Sequence, residues 1–100
     1  MEYSEDCIVA ATHPTLPGHF PGHPIVPGVV LLDHVLAALV RWQPTAVVSV
    51  LPQVKFIEPL LPEQPFTIAL RSDRPGRLRF ECLRAGRCIA GGILQLAADR

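Results

Sequence analysis

The chain has 100 residues, 49% of them hydrophobic, with mean hydropathy +0.31 and nine basic against nine acidic residues. That length suits one domain with a modest core, and the apolar excess predicts surface that a partner or a ligand covers. Zero net charge argues against a dominant nucleic-acid or membrane-surface role.

The elements follow in chain order. Residues 5–12, around Ile8 and Val9, read as a first strand. An acidic N-terminus (Glu2, Glu5, Asp6) carries no secretory signal pattern, and no apolar run is long enough to span a bilayer, so a cytoplasmic location is expected. Residues 13–28 contain Pro14, Pro17, Pro21, Pro24 and Pro27 and exclude a regular helix or a central strand. From Val29 to Arg41 there is no breaker; Gly28 stands at the start and Pro44 marks the stop, which predicts a helix. Apolar residues cover nearly its whole circumference, so protein should enclose it. Asp33 is the exception, with Val29, Leu36, Ala37 and Val40 as helical neighbours. Burial there should raise its pKa and favour the proton-donating form. His34 and Arg41 lie on another face, and Trp42 reads as a helix-end anchor.

Four strands are expected next. Residues 46–57 are β-rich, with Pro52 suggesting a bulge or an edge. Residues 65–72 follow a turn-like PLLPEQ. Residues 76–86 alternate strictly, Leu78, Phe80 and Cys82 against Arg77, Arg79 and Glu81, between the hairpin signals RPG and AGR. Residues 87–97 close the set, with Gly91-Gly92 marking a bend or a close approach. One helix and five strands in this order predict an α+β fold, an antiparallel sheet curled around one central helix, in a single domain over 1–100.

Six of the nine bases (Arg71, Arg74, Arg77, Arg79, Arg84, Arg87) fall within one 17-residue stretch. A solvated hairpin face explains them without a partner; a docking patch for an acidic protein is the sharper alternative. Cys7, Cys82 and Cys88 are odd in number and lack CxxC spacing, which suits a reducing compartment better than a disulfide framework.

The candidate chemistry lies between residues 18 and 36. His19 sits in a Pro/Gly loop that fixes its approach, Gly28 opens a helix with unpaired amides and a positive dipole end, and Asp33 lies a turn and a half further on. A base, an amide oxyanion site and a neutral acid suit proton abstraction beside a carbonyl, followed by expulsion of a hydroxyl. His13, His23 and His34 read as ordinary loop or surface histidines. His19 and His23 share the spacing of a zinc motif but lie among prolines, so no metal is expected. A structural acid held by the backbone or by Arg41 is the alternative for Asp33.

HFPGHPIVPGVVLLD resembles the signature of the β-hydroxyacyl-acyl-carrier-protein dehydratases, with the acid fourteen residues after the histidine. VKFIEPLLPEQPFTIAL is similar to that family's strand after the helix, so the resemblance covers most of residues 13–97. It implies a hot-dog fold and a homodimer whose sites lie at the interface, the histidine of one subunit facing the acid of the other. It also implies dehydration of 3-hydroxyacyl thioesters to trans-2-enoyl thioesters in fatty-acid-like or polyene lipid biosynthesis. His19 would take the C2 proton, Asp33 would protonate the departing hydroxyl, and the Gly28 N–H would polarise the carbonyl. Phe20 and Val29 would line the acyl tunnel. The substrate would ride on an acyl carrier protein or CoA, with no cofactor beyond the phosphopantetheine that carries it. Ala37 stands where many relatives have a glutamine that would hydrogen-bond the acid. In this respect VVLLDHVLAAL looks closer to the compact aryl-polyene-type thioester dehydratases. A hot-dog thioesterase with Asp33 activating water, and an inactive acyl-binding or heterodimer-partner domain, are the rival functions.

Overall fold

The computed structural model describes residues 1–10 and 25–97. In chain order these form β1 (Glu2–Cys7), α1 (Gly28–Trp42), β2 (Val48–Phe56), β3 (Phe66–Arg74), β4 (Arg77–Arg84) and β5 (Arg87–Leu96). The strands make one antiparallel sheet in the order β1-β3-β4-β5-β2. The expected α+β arrangement is therefore present, with β1 and β2 as the two edges.

The helix starts where the prolines stop. Pro27, at φ −60° and ψ 146°, is the extended residue before it. Its carbonyl accepts from Val30 N at 2.9 Å and Leu31 N at 3.3 Å. At the other end Pro44 keeps Gln43 out of the helical region (φ −132°, ψ 87°), and Gln43 N closes the last turn on the Leu39 carbonyl at 2.6 Å. Val30, Leu31, Val35, Ala38 and Leu39 form the buried stripe. It packs on the inward rows of the sheet, Phe66, Ile68 and Leu70 of β3 and Leu78, Phe80 and Cys82 of β4, with Ala90 and Leu94 of β5. Cys82 is fully buried, and burial pushes its thiol up to about 12, so it serves the core and is no nucleophile.

The two hairpins are cut by the residues that flag them. Pro75-Gly76, with Gly76 at φ 76°, joins β3 to β4. Ala85-Gly86, at φ 52° and 80°, joins β4 to β5. The first is the Pro-then-Gly order of a type II turn, and the second places both residues left-handed, as type I′ requires. β2 shifts register twice against β5, between Val48 and Val50 and between Val50 and Gln53, which brackets the stretch holding Pro52.

Two expectations change. The first strand lies at 2–7, not 5–12. Tyr3, Glu5 and Cys7 alternate inward although one of them is charged, so the polar start of the chain hides its periodicity. The helix is also not enclosed on all sides by the described residues. Val29, Asp33, Ala37 and Val40 are exposed along one face, Val29 at 62% and Val40 at 50%.

Candidate active site

Of the expected site residues, His19 and Phe20 lie outside the described residues, as do His13 and His23. Gly28, Val29 and Asp33 are described, and α1 places all three. Gly28 is its first residue. Among the described residues no side chain caps the first turn, and no acid lies in it. Val29 and Asp33 follow on the exposed face, one turn apart.

A groove of about 520 Å³ opens at this helix start, lined mainly by Ile25, Val26, Leu31, Phe56, Ile57 and Leu60. That volume lies in the range of small-ligand pockets, about 300–1,000 Å³. Its two walls, residues 25–28 and 56–60, are joined by a hydrogen bond from Val26 N to the Leu60 carbonyl at 2.8 Å. β5 holds the second wall: Ile57 N and Glu58 N both donate to the Ile89 carbonyl, at 2.8 and 3.2 Å. The carboxylate in the lining, Glu58, is engaged by Arg87 at 2.7 Å.

Asp33 is exposed in the single chain, so any burial of its carboxylate comes from whatever covers this helix face. Arg41 does not hold it. The Arg41 guanidinium forms a two-pronged pair with Glu5 of β1, which also accepts from Tyr3 Oη at 2.5 Å. Trp42 stacks on Tyr3 with ring centres 5.8 Å apart and planes 10° apart, the helix-end anchor expected of it. His34, half-buried, meets the Phe66 ring edge-on at 6.2 Å on a separate face.

The arginine-rich stretch divides between the two ends of β4, with Arg71, Arg74, Arg77 and Arg79 toward one end and Arg84 and Arg87 at the other. Arg74 and Arg77 pair beside one turn and Arg84 and Arg87 beside the other. The two ends of the eight-residue β4 lie about 23 Å apart. Across the outer sheet face Glu2 stands opposite Arg71, Arg71 opposite Arg79, and Glu81 opposite Ala69. Charges of both signs on that face agree with a solvated surface.

Sequence reasoning missed Phe56 as part of this site. Its signals were an aromatic residue ending a β-rich run and its place in VKFIEPLLPEQPFTIAL, while the contact with Gly28 is made only in the fold. The helix-start groove opens at Gly28, one of the expected site residues.

The fold recurs in solved structures. A chain of the dehydratase heterocomplex ApeI:P from Xenorhabdus doucetiae superposes with a TM-score of 0.86 at 24% identity, covering 97% of this chain and 88% of that one. An uncharacterized protein from Erwinia carotovora subsp. atroseptica gives a TM-score of 0.82 at 24% identity, over 96% and 82% of the two chains. The fluoroacetyl-CoA thioesterase FlK gives 0.71 at 17% identity, over 97% and 84%. These likenesses establish the hot-dog fold, one helix held in a curled five-stranded antiparallel sheet. The family model of the ApeI dehydratase matches residues 2–93, nearly the whole chain, and with it this protein belongs to the ApeI-like dehydratase family.

Proposed function

We propose that the protein dehydrates 3-hydroxyacyl thioesters to trans-2-enoyl thioesters in fatty-acid-like or polyene lipid biosynthesis, with the acyl group carried on the phosphopantetheine of an acyl carrier protein or on CoA. The observation that carries this reading is the family match over residues 2–93. The uncapped helix start opening on an apolar groove, with one acid on the adjoining helix face, supports it.

In this mechanism the thioester carbonyl oxygen accepts from the Gly28 N–H, where the helix dipole favours the negative charge that develops on it. His19 takes the C2 proton. The electron pair of that C–H bond becomes the C2–C3 double bond while the C3–O bond breaks. Asp33 gives its proton to the departing oxygen, which leaves as water. The proton held by His19 returns to Asp33 through solvent and resets the site. Phe20 and Val29 line the acyl path. A second copy of the chain seated on the Val29–Val40 face covers Asp33. The site then lies between subunits, with His19 of one opposite Asp33 of the other. The solved neighbour from Xenorhabdus doucetiae is a heterocomplex, so a different hot-dog subunit is the competing occupant. A cytoplasmic setting fits the free thiols of Cys7, Cys82 and Cys88.

The test incubates the protein with 3-hydroxyacyl and trans-2-enoyl pantetheine thioesters and follows mass. Loss or gain of water is expected; release of free thiol would make it a thioesterase, and unchanged substrate a binding protein. His19→Ala and Asp33→Ala should each lower turnover at least about a thousandfold with the fold retained. Mixing the two inactive variants should restore one working site per mixed dimer. Full activity in either single variant would refute the assigned pair.

A further inference from the structure

Phe56 ends β2, and its ring rests on the first residue of α1. A Cβ built on Gly28 would stand 2.6 Å from the ring Cζ and 2.9 Å from each Cε. Real side chains do not approach so closely, so a side chain at residue 28 would displace the ring from this position. Yet the ring is not a core residue: it stays 52% exposed, and Ile57 beside it 58%. A phenylalanine that only fastened a strand to a helix would gain most by full burial. This one keeps much of its surface open above the groove.

The two groove walls run antiparallel. Gly28 lies beside Phe56 at one end, and Val26 is hydrogen-bonded to Leu60 at the other. The ring therefore stands beside the helix start, and among the described residues the side chains that line the groove beyond it are hydrocarbon apart from Glu58, which Arg87 holds. We propose that Phe56 is a specificity-determining residue: its ring roofs the carbonyl position at Gly28 and occupies the space a longer or bulkier acyl chain would need. This rests on the dehydratase reading for the identity of the ligand as an acyl thioester.

Two measurements on the full-length protein test it. In the first, unreactive S-alkyl pantetheine thioethers of increasing length are titrated by calorimetry. In the second, kcat/KM is measured for 3-hydroxydecanoyl and 3-hydroxybutanoyl pantetheine thioesters. Phe56→Ala should shift both the binding profile and the kcat/KM ratio toward the longer chain by about tenfold or more, with Phe56→Leu between the two. Gly28→Ala should weaken binding by about tenfold in the native background and much less in Phe56→Ala, because the Cβ then has room. Length profiles that superimpose for Phe56→Ala and the native protein would overturn the inference. So would a Gly28→Ala effect of equal size in both backgrounds, or thioethers that fail to bind the native protein at all. If Phe56→Ala does not fold, the Phe56→Leu profile decides on the same terms. Thioethers that bind with a Phe56-dependent profile, with no water lost from any thioester, would leave the groove assignment standing and remove the dehydration reading instead.

Discussion

Glu5 shows how one residue escapes a reading by pattern. It alternates inward between Tyr3 and Cys7, yet it carries a charge. Arg41 at the helix end makes that possible. Hydrogen bonds from its guanidinium, joined by that of Tyr3, hold the Glu5 carboxyl down at about 2 against burial, which acts the other way. A carboxyl depressed in the folded state stabilises the protein only where it is ionised. Its contribution is complete above the usual carboxylate range and fades as pH falls from about 4.5 toward about 2. Because Arg41 is half exposed, solvent screens the pair and its contribution is modest. Glu5→Gln should therefore melt several degrees below the native protein at neutral pH, and the gap should close between about pH 4.5 and about pH 2. A gap of constant width across that range would mean that the pair contributes no pH-dependent stability.

At the scale of elements, the parts most legible in the sequence were those with one period and clear punctuation. α1 runs within a residue or so of the expected bounds because Gly28 and Pro44 frame an unbroken apolar run. β4 matched because Leu78, Phe80 and Cys82 alternate with charges, and both flanking turns carried their own signals. β1 did not, since its inward row includes Glu5 and its partner Arg41 is 36 residues away. Phe56 did not either, because the residue it touches lies across the fold at Gly28. The Gly91-Gly92 pair was legible as a close approach, and the two glycines prove unequal. A Cβ on Gly92 would overlap the Gln53 carbonyl oxygen of β2 and come 2.8 Å from the Phe80 ring, whereas one on Gly91 meets the Phe80 carbonyl at 3.2 Å. Gly92→Ala pushes on a backbone oxygen that cannot swing aside, and should cost about 2–3 kcal/mol or prevent folding. Gly91→Ala should cost about 1 kcal/mol or less, since a shift of a few tenths of an ångström relieves it. Denaturant melts of the two variants check the ranking, and equal losses would contradict the proposed squeeze between β2 and β5.

The whole molecule leaves apolar surface on view in an ordered way. Val29 and Val40 project from one helix face, while Val50, Leu51, Phe56 and Ile57 are exposed on and just beyond the edge strand β2. An edge strand with such side chains invites pairing unless something covers it. The enclosure expected of the helix was thus half right. The residues that face its own sheet are buried, and the remaining stripe, with Asp33 in its middle, keeps the apolar composition of an interior without one in the lone chain. Composition alone could not separate burial within a chain from burial between chains, because both select the same side chains. Val40→Asp separates them. Val40 is exposed in the single chain, so an acid there leaves the folded monomer intact by circular dichroism. If a second copy covers the face, each new carboxylate is buried without a partner, at about 3 kcal/mol, and the dimer Kd should rise at least on the order of a hundredfold. Sedimentation at micromolar concentration should show dimer for the native protein and for Asp33→Asn, which keeps shape and loses charge, and monomer for Val40→Asp, with thioester turnover lost in step. A Val40→Asp protein that sediments as the native one does at every concentration would move the interface elsewhere and leave Asp33 without the facing subunit that the proposed site needs.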